Sequence, residues 1–354
     1  MPGSGSEAAQ KLKSRLAAVT LRRAGLRYVT TDALTIRRRR VGESFTFIGP
    51  RGRPIRDAIT RARLKRLAVP PAYEDVLYAS DPRAHIQAVG RDAAGRLQYR
   101  YHSDWEKVRE RRKAKRLQRL VEALPRIRRA VNRHFASAEP TREFALAAVI
   151  ELVSCSAIRP GSEAYARQNG TRGAATLLKS NIAVSGATIT LKFRAKGGKA
   201  VEKKFHCPRV ARALNVLREL PGRRLFQYRD ADGASRIVTA ADVNVFLREI
   251  AGVKISLKDF RTLCASAAAL EALAHIAPAP SERGRRRQIK EAVVGVSEQL
   301  ANTPTICRKS YVHQTVVAAF ENGKLEKFSA TLRRRRSPAH REQLLAQVVA
   351  TMAA

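Results

Sequence analysis

The sequence predicts an α+β protein: a small β-rich module precedes a larger, mainly helical one that carries a three-stranded antiparallel sheet. Three observations carry this. At 354 residues and 44% hydrophobic content, the chain is long enough for two cores and too apolar for a disordered basic tail. Up to about Tyr101 short alternating runs are separated by turns, whereas after His102 apolar residues recur at helical spacing. Alternation then returns for three short segments between 181 and 207. The division that follows is a loose leader over 1–20, a β-rich domain over 21–104, a mainly α domain over 105–328 and a basic tail over 329–354.

In chain order, "ESFTFIG" alternates as a strand and "PRGRP" turns it. "DAITRARLKRLAVPPAY" predicts a short basic helix stopped by Pro70 and Pro71. "HIQAVG", "RDAA" and "GRLQYRYH" predict a hairpin with Gly95 at its turn. Leu117, Leu120, Val121, Leu124, Ile127 and Val131 then mark one helix stripe, expected to bend or break at Pro125. "TREFALAAVIELVSCSA" predicts a more buried helix. The sheet follows as "NIAVSG", "ATITLKF" and "AVEKKFHC", with Ile189, Leu191 and Phe193 alternating against Thr188, Thr190 and Lys192. From Pro208 onward only helices are expected. They start at Pro208, Thr239, Ser256, Ser281 and Thr303–Pro304, and stop near Gly222, Gly252, Pro278, Asn302 and Gly323.

Charge is the unusual quantity. Sixty-nine Lys and Arg against 30 Asp and Glu leave +39, which repels itself unless a polyanion is bound. Arginine runs at 37–40, 109–119, 283–287 and 333–336 suit phosphate oxygens, so nucleic acid is the expected partner. "MPGSGSEAAQ" carries no apolar core of a secretory signal, and "FALAAVIEL" is too short to span a bilayer. Cys155, Cys207, Cys264 and Cys307 form no C-x-x-C pair and read as reduced, mostly buried thiols of an intracellular protein. No phosphate-cradling G-x-x-x-x-G-K-[ST] loop occurs, and "DADG" at 230–233 lacks the later acidic ligands of a calcium loop. The expectation is no cofactor, no metal and no nucleotide.

"NTPTICRKSYVHQ" places Tyr311 behind Arg308 and Lys309, in what reads as the middle of a short helix. Cations beside a phenol suit a phosphate that the phenol attacks, because nearby guanidinium groups favour phenolate. His313 is set aside as a base, since two residues apart on a helix is nearly opposite faces, and Cys307, one turn earlier, reads as a packed thiol. "CRKSYVHQ" resembles the nucleophile helix of type IB DNA topoisomerases, the compact bacterial and poxvirus kind. Four more segments match in order: "QYRYH", "AIRPGSEAY", "FRAKGG" and "KDFRT". Together they cover roughly residues 60 to 328.

The resemblance implies a C-shaped clamp around duplex DNA, a monomer that relaxes supercoils without ATP or metal, and a cytoplasmic, nucleoid-associated protein. It assigns Tyr311 as nucleophile of a 3′-phosphotyrosyl intermediate, Arg159 and Arg261 as clamps on the non-bridging oxygens, and Lys196 as general acid to the departing 5′ oxygen. Asn302 stands where poxvirus and eukaryotic members carry histidine, and is expected to be a neutral donor. Gln98, Tyr99, Tyr165, Arg308 and Lys309 are the expected DNA contacts. Tyrosine recombinases use the same link but usually show H-x-x-R where this chain has Lys258 in "KDFR". A non-enzymatic nucleoid-compacting protein would explain the charge but not the ordered motifs.

Overall fold

The computed structural model describes residues 18–137, 139–334 and 337–351, so most of the expected leader lies outside the described residues. Of the rest of it, residues 18–20 are helical and run directly into Leu21, which is fully buried. The chain divides into two compact units, one ending at Arg112 and the other beginning at Lys113. The class is α+β, as expected. No helix among the described residues is long and apolar enough to cross a membrane.

The first unit is built on β1 (Ile36–Val41), β2 (Ser44–Ile48), β3 (Glu74–Tyr78), β4 (Ile86–Arg91) and β5 (Leu97–Tyr101), in the antiparallel order β2-β1-β3-β4-β5. Helix α1 (Ala58–Arg66) is capped by the Asp57 carboxylate, which accepts the Thr60 N–H at 2.7 Å. Ile36, Phe47, Leu64, Val76, Tyr78 and Ala88 close the core between sheet and helix. Two strands were not expected, and β1 shows why. Four identical arginines hide any period of two, yet Arg37–Arg40 pair with Phe45–Ile48 across the ladder. Their charge is accommodated locally: the Arg38 guanidinium lies 4.2 Å from the Phe45 ring centre and donates to the carbonyls of Val69 and Pro70.

Helix α2 (Ser103–Ala136) runs through Pro125, so of the expected bend or break the break does not occur. Pro125 removes one backbone donor, while Leu117, Leu120, Leu124, Ile127 and Val131 are buried on both sides of it and hold the helix together. Helix α3 (Arg142–Ser156), capped by the Thr141 hydroxyl, is buried along most of its length. Helix α4 (Glu163–Asn169) is short. Strands β6 (Ile182–Ser185), β7 (Thr188–Arg194) and β8 (Ala200–His206) form the predicted antiparallel sheet, with Ile189, Leu191 and Phe193 turned to the core. The tip between β7 and β8 is Lys196–Gly198, where Gly197 and Gly198 both take left-handed backbone.

After α5 (Pro208–Arg218) the expectation of helices alone fails, because β9 (Gln227–Arg229) and β10 (Ser235–Ile237) form a small hairpin. Its turn is "DADG": the Asp230 carboxylate accepts the Ala234 N–H at 2.8 Å and Arg236 Nε at 2.7 Å. Strands of three residues leave too short an alternation to read. Helices α6 (Ala240–Ala251), α7 (Leu257–Ala274), α8 (Glu282–Gln299), α9 (Pro304–Ser310) and α10 (Gln314–Glu321) start and stop close to the predicted caps. Within the expected basic tail lie α11 (Ser329–Arg334) and α12 (Pro338–Thr351), which reaches the last described residue. Leu344, Leu345, Val348 and Val349 enter the main core. Arg128–Glu342 at 2.5 Å and Arg341–Glu271 at 2.8 Å pin the same helix.

Candidate active site

Arg159 is placed by a helix end and a close backbone approach. Helix α3 stops where Ala157 turns left-handed and donates its N–H to Val153 O at 2.9 Å. The chain then runs through Arg159, Pro160 and Gly161 and is fastened by two amides: Ala174 N–H to Arg159 O and Ala175 N–H to Pro160 O, both at 2.8 Å. Gly173 makes that approach possible, since a β-carbon there would lie 2.5 Å from Gly161 N and 2.6 Å from Arg159 O. The Arg159 side chain is half-buried and donates from Nη2 to Asn302 Oδ1. Burial, with the Arg261 charge behind it, pulls its pKa below the ordinary guanidinium value.

Arg261 projects from α7 and is 1% exposed. Its fork is neutralised by backbone dipoles rather than by an acid: Nη1 donates to Ala157 O and Nη2 to Leu300 O at 3.1 Å. Its Nε has no partner. The guanidinium carbon lies 4.8 Å from the centre of the Tyr311 ring.

Tyr311 ends α9 rather than sitting in its middle, with φ −121° and ψ −42°; helical backbone continues only to Ser310. Three bonds fix its backbone. Its N–H donates to Cys307 O at 2.9 Å, and its carbonyl accepts the Ser266 hydroxyl at 3.1 Å. Ser266 Oγ in turn accepts the His313 N–H at 3.0 Å. The tyrosine is 8% exposed. Because α9 has already ended, His313 is not on its opposite face. It caps α10, with Nδ1 accepting the Thr315 N–H at 3.1 Å, and burial drives its pKa down to about 4. Cys307 is a fully buried thiol whose pKa burial pushes up, as a packed cysteine's should be.

Asn302 completes the group. A guanidinium can only donate, so the bond from Arg159 fixes which end of the amide is oxygen. Its Nδ2 is buried and has no partner. The structure therefore connects Arg159, Asn302, Arg261 and Tyr311. Lys196 keeps other company: it is exposed at the β7–β8 tip, its ammonium 5.3 Å from the centre of the Tyr165 ring, which is 49% exposed. Arg308 donates to Gln314 Oε1 at 2.5 Å, and Lys309 is exposed beside it. In the first unit Gln98 donates to Asp92 at 2.9 Å, and the exposed Tyr99 stacks on Tyr101 with centroids 6.0 Å apart.

Two functional-looking residues escaped the sequence reading. Lys203 donates to Ser156 O and to Gln299 O, the latter at 2.7 Å, tying together segments that hold Arg159 and Asn302; burial lowers its pKa. Alternation in "AVEKKFHC" could have found it, since Val201, Lys203 and Phe205 share the inward face. Ser266 carried no local signal. Residues 102–337 match the family model described as "Eukaryotic DNA topoisomerase I, catalytic core", and residues 44–92 match "Bacterial DNA topoisomerase IB, N-terminal domain". The chain is 31% identical over 267 residues to a protein named DNA topoisomerase 1B from Acanthamoeba polyphaga mimivirus, covering 73% of this chain and 80% of that one. With both units matched and the catalytic core covered, the chain belongs to the type IB DNA topoisomerases.

Proposed function

We propose that the chain relaxes supercoiled duplex DNA by cutting one strand and resealing it through Tyr311. The observation that carries this is the pair of buried, unpartnered N–H donors, Arg261 Nε and Asn302 Nδ2, in the same cluster as the phenol. A buried donor without an acceptor costs about 1–3 kcal/mol. The non-bridging oxygens of a backbone phosphate are acceptors that would satisfy both donors, with Arg159 supplying charge beside them.

In this mechanism Tyr311 Oη attacks phosphorus while charge grows on the equatorial oxygens facing Arg159, Arg261 and Asn302. The bond to the 5′ oxygen breaks as Lys196 protonates it, leaving a 3′-phosphotyrosyl link and a free 5′-hydroxyl. Torsion turns the free end, and the hydroxyl attacks back to restore the phosphodiester and release the phenol. One ester replaces another at each step, so no ATP is required. Lys196 must leave its stacked position over Tyr165 to act, and the two glycines at the tip supply the backbone freedom. Gln98, Tyr99, Tyr165, Arg308 and Lys309 contact the duplex, and the net charge of +39 holds its backbone.

Incubation with a negatively supercoiled plasmid in EDTA without nucleotide tests the proposal. The expected result is a ladder of relaxed topoisomers, and a Tyr311→Phe variant that binds DNA but forms no covalent adduct. Unchanged linking number after deproteinisation, or an adduct in Tyr311→Phe, refutes it. Strand exchange only at paired sites would point to a recombinase.

A further inference from the structure

Cys155 and Cys207 are absent from the mechanism above, yet their Sγ atoms lie 2.6 Å apart. Cys155 occupies the last turn of α3 and is exposed; Cys207 follows β8 and caps α5. Glu151 stands one helical turn before Cys155, with its carboxylate 3.5 Å from Arg209. These three acidic or thiol groups bring their ligating atoms within 4.8 Å of one another. The arrangement suits sulfur–sulfur bonding better than a metal. Tetrahedral zinc with bonds of about 2.3 Å would hold two thiolates roughly 3.8 Å apart, and Glu151 already has a cation beside it. A disulfide needs about 2.05 Å, a short approach from the present contact. The Cys155 thiol and the Val210 N–H both favour the Cys207 thiolate and hold its pKa below the ordinary thiol value.

The pair is wired to the candidate active site. The carbonyl of Ser156, next to Cys155, accepts Lys203, and that of Ala157 accepts Arg261. Lys203 belongs to β8, the strand that ends one residue before Cys207. We propose that a hydroperoxide oxidises Cys155 and Cys207 to an intramolecular disulfide, and that this bond shifts the Ser156–Ala157 carbonyls and slows strand cleavage. The Cys207 thiolate attacks the peroxide oxygen, giving a sulfenic acid and one molecule of water (or alcohol). The Cys155 thiol then displaces the sulfenic oxygen as a second water, so two thiols are oxidised and one peroxide is reduced. Added dithiol reverses the step by exchange. The effect on cleavage rests on the proposed function; the oxidation does not.

The test treats the full chain with hydrogen peroxide, then reads peptides without reduction. The expected product is a Cys155–Cys207 crosslink lighter by two hydrogens. It closes a 52-residue span and raises Tm by roughly 5 °C or more. Relaxation slows by about tenfold, consistent with sub-ångström misplacement, and recovers with dithiothreitol, while Cys155→Ser keeps its rate under peroxide. Sulfinate without a crosslink, or a stoichiometric zinc that shields both thiols from alkylation, overturns the pair. A quantitative crosslink with undiminished relaxation overturns the coupling to cleavage. A protein that crosslinks but never relaxes DNA fails at the proposed function alone.

Discussion

Replacing Asn302 by alanine separates stability from chemistry, because its two ends have opposite standing in the fold. Oδ1 accepts from Arg159, a charge-assisted bond worth about 1.5–3 kcal/mol, whereas Nδ2 is a buried donor whose isolation costs about 1–3 kcal/mol. Asn302→Ala removes both terms, so the net change in stability should stay within about 1.5 kcal/mol, a shift of roughly 5 °C or less in Tm. Cleavage should not be spared. Removing one donor aimed at developing charge costs about 10²–10³ in rate, or about 2.7–4 kcal/mol of barrier. The assay pairs thermal denaturation with single-turnover formation of the covalent adduct on a suicide duplex, enzyme in excess. Asn302→Asp sharpens the test: the carboxylate still accepts from Arg159 but cannot donate and repels phosphate, so it should cleave more slowly than the alanine variant. Cleavage within about threefold of the parent in Asn302→Ala would refute the donor role. So would an aspartate variant that outpaces it.

Gly173→Ala should disturb Arg159 from a distance, since its methyl would sit 2.5–2.6 Å from backbone atoms of Gly161 and Arg159. Overpacking of about 1–3 kcal/mol, with cleavage down by about 10²-fold, is expected in the same two assays; an unaffected cleavage rate contradicts it. His313 is buried neutral, its pKa depressed from the ordinary 6.5 to about 4. The unfolded chain therefore binds a proton first as pH falls. The stability His313 contributes is complete above about pH 6.5 and declines by about 3 kcal/mol on the way to pH 4, read by denaturant titration. His313→Asn, which retains a cap acceptor, should flatten that decline; an identical pH profile excludes His313 as its source. Duplex affinity, followed by fluorescence anisotropy, should fall by about 10³-fold or more between 50 and 200 mM salt if six or more phosphates are contacted. A shallow slope is incompatible with backbone-dominated binding.

Much of the architecture was legible because periodicity and caps are local. The Thr141, Thr239, Ser256, Ser281 and Thr303 boundaries, and the alternation of Ile189, Leu191 and Phe193, follow from which backbone groups need partners and which faces can be buried. The unexpected elements include those whose local pattern is uniform, dominated by charge or too short to alternate. Arg37–Arg40 concealed a strand, and the apolar spacing of Leu344, Leu345, Val348 and Val349 lies beyond the "RRRR" at 333–336.

By itself, the sequence determined the long helices and the three-stranded sheet between them, the residue types of the site and the charge that calls for a polyanion, since each depends on neighbours in the chain. Only the tertiary structure decided that Arg261 is buried on two carbonyls, that Asn302 turns its free N–H inward, that Tyr311 lies past the end of its helix and that two distant thiols touch. The physical reason is that burial and hydrogen-bond partnership belong to pairs of groups, and here the partners come from distant segments, such as Ala157 and Arg261 or Arg159 and Asn302.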